Sequence, residues 1–215
     1  MYSITNCAYS AGARGLVLGL FLALSGCALP QLPVRPVVYD FGPGARTTAP
    51  ASPDRLAPLA LAEVEAPPAL DSTAVLYRLA YSDAQRLQPY ALARWSMPPA
   101  QLVRQRLREQ LGHRRALLSP GEHGPVGAPS PLTLRLELDE FSQVFDTPEQ
   151  SVGLVRLRAT LLQAGTNGER LVAQHNLAVQ RPATSADASG GVRALTAATD
   201  AALLELKQWL EGLGY

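Results

Sequence analysis

The chain has 215 residues, 47% of them hydrophobic, with 19 Lys and Arg against 18 Asp and Glu and a net charge of +1. That length suits one domain plus a tether, and the charge balance argues against a general nucleic-acid binder, which carries a basic excess. The three histidines, His113, His123 and His175, lack metal-ligand spacing. No phosphate-binding glycine loop or nucleophile-elbow motif is present, so neither a metal nor a cofactor is expected.

Leu16 to Leu24 is an uncharged apolar run of nine residues preceded by Arg14. A basic start, a short apolar core and small residues after it describe a secretory signal peptide. The run is too short for a bilayer span, which takes about 20 apolar residues. It ends in Leu24-Ser25-Gly26-Cys27, which resembles the bacterial lipobox. The resemblance implies cleavage before Cys27, a diacylglyceryl group on its sulfur and a fatty acyl chain such as palmitate on the new amine. Cys7 and Arg14 leave with residues 1–26, so the mature chain has balanced charge and no internal disulfide. Residue 28 is alanine rather than aspartate, which under the sorting rule of enteric bacteria directs the anchor to the outer membrane.

Residues 28–70 hold nine of the chain's 18 prolines. Proline fixes φ and disfavours helix, so 27–36 reads as a lipidated tether and 37–215 as a single folded domain. Strands are expected at 37–41, 57–66 and 74–82, the last alternating Val75, Tyr77, Leu79 and Tyr81 with other residues. A helix is expected from Pro98 or Pro99 to Leu111. Leu102, Val103, Leu107 and Leu111 form its apolar stripe, with Arg104, Arg106 and Arg108 largely on the far side. Residues 119–131 read as a loop. Three long strands follow, with inward faces at Leu132, Leu134, Leu136 and Leu138, at Val155, Leu157, Ala159 and Leu161, and at Leu171, Ala173, Leu177 and Val179. A turn at Gly165–Gly168 joins the last two. A final helix over 191–210 carries a stripe at Val192, Leu195, Thr199, Ala202, Leu203, Leu206 and Leu210. The expected fold is α/β, a two-layer sandwich of a mixed, mostly antiparallel sheet of five to six strands with two helices on one face.

After the lipobox come Tyr39-Asp40-Phe41-Gly42, Leu70-Asp71, Tyr77-Arg78, Tyr90, Arg94-Trp95 and Pro98. Their order resembles the ABC-type transport auxiliary lipoprotein family, which includes the paraquat-inducible protein C type. The resemblance implies a non-catalytic, outer-membrane-anchored periplasmic component of an MCE-type lipid transport system. Its implied partners are an MCE-domain protein and the ABC permease and ATPase of the same system, with a homo-oligomer compatible with the class and no nucleic acid involved. The alternative is an envelope lipoprotein that binds lipid directly or serves a structural or secretion role.

Tyr77, Arg78, Tyr90, Arg94 and Trp95 are the candidate partner-binding residues, since aromatic and Arg side chains dominate interface hot spots. The competing reading has the aromatics filling space between sheet and helix, and the arginines pairing with Asp71 or Asp83. The arginines from 104 to 115 suit anionic lipid headgroups, an acidic partner or a solvated helix face. His175 reads as a core histidine. Asp40, Glu63, Glu65, Asp71, Asp139 and Glu140 are the carboxylates a hydrolase could use, but no spacing fixes two of them in one pocket.

Overall fold

The computed structural model describes residues 34–44, 56–122, 124, 130–166 and 168–215. The expected signal peptide, Cys27, most of the tether, His123 and much of the loop at 119–131 lie outside the described residues. Pro36–Tyr215 is one compact unit. Along it run β1 (Val37–Tyr39), β2 (Leu59–Glu65), a 3₁₀ turn (Pro68–Leu70), β3 (Ala74–Leu79) and the single-turn α1 (Ala80–Asp83). Then come β4 (Ala84–Trp95), α2 (Pro99–Gly112), β5 (Leu117–Leu118), β6 (Leu132–Phe145), β7 (Ser151–Gly165), β8 (Gly168–Pro182) and α3 (Ala188–Gly212).

β6 organises the sheet. One of its edges pairs antiparallel with β7, and β7 pairs antiparallel with β8. At 14 residues β6 is long enough for two shorter strands to share its other edge. β2 runs parallel to its first half, Leu59 opposite Leu132, and β3 runs parallel to its end, Tyr77 opposite Gln143. β5 extends the sheet beyond β2, and β4 then β1 extend it beyond β3. The sheet thus has eight strands rather than five to six, and α1 makes a third helix. It is less antiparallel than expected, because β1–β4, β2–β5, β2–β6 and β3–β6 are all parallel. β4 escapes the sequence pattern because Pro89 sits inside it. β1 pairs only with Ala93–Trp95 of β4, so Pro89 lies on an open stretch of edge, where a missing donor is tolerated.

The apolar face is the one periodicity predicts. Leu134, Leu136, Leu138, Val155, Leu157, Ala159 and Leu161 are all buried. A bulge after Leu138 shifts the phase of β6, so Phe141 continues the core side. A second bulge inserts Val172 in β8, pairing Ala173 with Leu161 but Leu171 with Leu162. Leu171 therefore leaves the core face and is 57% exposed, contrary to the alternation read from sequence. The opposite face carries cross-strand ion pairs, Arg158 to Glu137 at 3.0 Å and Arg78 to Glu140 at 3.1 Å.

α3 packs on β6, β7 and β8 and touches α2, which packs on β2. Its whole expected stripe, Val192 to Leu210, is buried. Two glycines let it approach the sheet. A Cβ on Gly153 would stand 2.5 Å from the backbone of Ala194 and Leu195, and one on Gly191 would stand 2.0 Å from Gln143 Oε1. Gly153→Ala should therefore push the helix off β7. Overpacking of this kind costs about 1–3 kcal/mol, and the upper half is expected because backbone cannot rotate away. A urea titration would show it as a lowered midpoint; an unchanged midpoint would mean the helix is not held this close.

Asp187 caps α3 by accepting the Gly190 N–H at 2.7 Å. That bond, with one from the Ser185 hydroxyl, holds its carboxyl below the ordinary carboxylate range. Its contribution is present above the unfolded carboxylate pKa and is lost as pH falls through the lowered folded value. Asp187→Ala should cost about 1 kcal/mol near neutrality. The gap to the parent should narrow in acid denaturation curves, and a gap constant with pH would refute the carboxylate's role.

Candidate functional site

The Asp40–Gly42 turn follows β1 and is fixed from both sides. The Gly42 N–H donates to Asp40 Oδ1 at 2.7 Å, and Gly42 adopts φ +66°, a left-handed conformation that suits glycine. The turn aims Phe41 into the core. Its ring meets Trp95 edge-on at 5.6 Å and Phe141 at 6.1 Å. The carbonyls of Phe41 and Gly42 accept from one guanidinium, that of Arg106.

Arg106 is 5% exposed and lies on the buried stripe of α2 with Leu102, Val103, Leu107 and Leu111. This corrects its expected place on the far side of the helix. It stands four residues from Leu102 and three from Val103, the spacing of one helical face, so periodicity carried a signal for it. Its Nε lies 3.2 Å from Asp200 Oδ1 on α3, and its Nη1 lies 3.4 Å from Glu109 Oε2. One cation thus ties the first turn to both long helices. Burial raises the Asp200 carboxyl above its ordinary value, with Arg106 pulling the other way and Glu109 adding to the rise.

Two clefts flank this turn. One of about 230 Å³ lies toward α2, between Asp40–Gly42 and Leu102, Gln105 and Glu109. The other, of about 470 Å³, lies between Val38–Gly42 and the α3 residues from Val192 to Asp200. β1 pairs with β4 alone among the described strands, and Val37 and Val38 are 54% and 64% exposed. A third cleft of about 410 Å³ is lined by Glu63, Gln101, Arg104 and Arg108 among others. In it Arg104 pairs with Glu63 at 3.0 Å.

The five residues singled out from sequence are placed as follows. Trp95 is 2% exposed and packs on Phe41 and Phe141, so it supports the turn rather than presenting a ring to a partner. Tyr77 and Tyr90 come together, their rings 4.6 Å apart. The Tyr90 hydroxyl donates to Gln143 Oε1 at 2.8 Å, and Gln143 Nε2 donates to Ser151 Oγ at 2.7 Å. Burial, helped by Tyr77, raises the Tyr90 phenol well above its ordinary value. Arg78 pairs with Glu140 rather than with Asp71 or Asp83, and donates to the Ala84 and Gln85 carbonyls. Arg94 donates to the Tyr90 and Ala93 carbonyls of its own strand. All five side chains have structural work within the unit, and Cys27 lies outside the described residues.

Four of the six candidate carboxylates, Asp40, Glu63, Asp139 and Glu140, are similarly engaged. Glu140 faces Arg78 and Arg156, Asp139 and Glu137 face Arg158, and Asp40 holds its turn. His175 is not enclosed in the core. It stacks on Trp209 with centroids 5.5 Å apart and meets Glu205 at 3.3 Å, at the seam between β8 and α3.

Residues 39–206 match the family model described as the ABC-type transport auxiliary lipoprotein component. Among solved structures, the chain is similar to protein XCC0632 of Xanthomonas campestris, of the DUF330 family. That match has 21% identity and a TM-score of 0.62, over 84% of this chain and 91% of that one. A second, an uncharacterized protein, matches at 16% identity and a TM-score of 0.57, over 82% and 99%. At such identities these likenesses show the fold. No curated protein matches the sequence.

Proposed function

The chain belongs to the ABC-type transport auxiliary lipoprotein component family, and from that premise we propose that it is a non-catalytic docking component of an MCE-type lipid transport system. Cys27 anchors it to the periplasmic face of the outer membrane. The 37–215 domain is its docking body, and an MCE-domain protein, an ABC permease and an ATPase are its partners. The carrying observation is the extent of the family match. It begins at Tyr39, the last residue of β1, and runs through α2 and most of α3. It therefore covers the turn and both helices that wall the two clefts, and leaves out Val37 and Val38 of β1.

The engagement of Asp40, Glu137, Asp139 and Glu140 in turns and ion pairs supports a binding role over hydrolysis. The clefts beside the turn are lined by polar and charged side chains as well as apolar ones, which suits a protein surface better than an acyl chain.

The test is crosslinking in intact cells, mild detergent extraction and mass spectrometry of what copurifies with the tagged chain. Recovery of an MCE-domain protein with a permease and an ATPase is the expected result. An outer-membrane protein that brings down none of the three would refute the transporter assignment.

A further inference from the structure

We propose that the edge of β1 that no described strand covers and the α3 surface beside it form a groove for an extended polypeptide segment of a partner protein, with a basic side chain on that segment. The inference deepens the docking role above and rests on it for the partner being a protein.

Three observations converge. First, β1 is an edge strand with exposed valines and no charged side chain. The open remainder of that side, in β4, carries Arg86 and Pro89, which discourage pairing there. Second, the cleft of about 470 Å³ takes its lining from Val38–Gly42 and from α3, with no residue from β4. It therefore lies on the side of β1 that no described strand covers. Third, its α3 wall from Val192 to Asp200 includes Thr196 and Ala197, whose small side chains leave the floor low. Those nine residues of helix span about 12 Å, the length of about four strand residues. β1 itself has three. A strand added to β1 would satisfy its free backbone groups and drop alternate side chains onto α3, the edge-addition mode of peptide recognition.

Charge selects the occupant. Asp40 and Asp200 line this cleft, and Glu109 lines the neighbouring one. Against these three carboxylates stand two guanidinium groups, the buried Arg106, which pairs with Asp200 and Glu109 but not with Asp40, and Arg193 on the lining. Arg193 is turned to Thr184, Ser185 and Ser189. Among the described residues the two clefts together keep one net negative charge, with Asp40 facing no cation, which favours Lys or Arg on the incoming segment.

The test places the photocrosslinker p-benzoylphenylalanine at Ala197, an exposed position on the groove floor, in the full-length lipoprotein in intact cells. Exposed Leu204, outside the cleft lining, is the control position. Adducts are mapped by mass spectrometry. The expected adduct at Ala197 maps to a protein segment containing Lys or Arg and is absent at Leu204. Asp40→Asn keeps an oxygen for the Gly42 N–H but removes the charge, and should lower the yield roughly tenfold. No adduct, an adduct to lipid or to a second copy of this chain, a segment without Lys or Arg, equal yield at Leu204, or indifference to Asp40→Asn would each overturn the groove. A basic segment from a protein outside any ABC transport system would uphold the groove and refute the transporter assignment.

Discussion

Cys27→Ser should remove the chain from the outer-membrane fraction and lower the mass of the mature protein by its acyl groups. The thiol is the only nucleophile in the lipobox-like Leu24-Ser25-Gly26-Cys27, and a serine hydroxyl does not replace it in that chemistry. Membrane affinity grows by about 0.8 kcal/mol per buried CH₂, so one chain holds marginally and two or more hold stably. Losing all of them is an all-or-none change in partition. Sucrose-gradient fractionation and intact-mass measurement read it directly. A serine variant that stays in the outer-membrane fraction at an unchanged mass would refute lipidation at Cys27. The same variant should lose copurifying transporter components, because docking at effective concentration needs the tether.

Arg106→Ala should cost about 3 kcal/mol of stability near neutral pH. Breaking a buried ion pair costs about 3–5 kcal/mol. The lower end is expected because Asp200 and Glu109 are each nearly half exposed and rehydrate in part. The Phe41 carbonyl loses its donor, and the turn loosens over Trp95. Trp95 fluorescence should therefore shift to the red. Arg106→Lys should recover little, since one ammonium cannot reach the Phe41 carbonyl, Asp200 and Glu109 together. The pH dependence has a definite sign. Asp200 is already raised by burial, and removing Arg106 raises it further. A raised carboxyl favours the fold below its unfolded pKa and loses that contribution as pH climbs through the folded value. The deficit of the variant should be widest at neutral pH and shrink in acid. A deficit below about 0.5 kcal/mol, the range of ordinary surface changes, would mean the clamp does not hold the turn.

Much of the architecture was legible because the solvent-facing and core-facing residues alternate cleanly. β6 and β7 read at period two, α2 and α3 at period 3.6, and their expected core residues are buried. The strand holding Pro89 was not legible, since local composition argues against a strand and only pairing with β3 and β1 makes it one. Leu171 was misplaced because a bulge is a property of two strands in register, and one strand's pattern does not contain it. Of the candidate site residues, the structure brings Tyr77 and Tyr90 together and buries Trp95. The residue that organises the clefts, Arg106, reads as a surface charge in a helix rich in arginine.

Sequence alone decided the class of most elements and most of the faces they bury, because periodicity depends on near neighbours along the chain. The fold settled which charge is buried, which edge no described strand covers and where a cleft opens. Arg106 meets Phe41, Glu109 and Asp200 from three separate segments. A buried guanidinium persists only where distant carboxylates and carbonyls converge to replace its water.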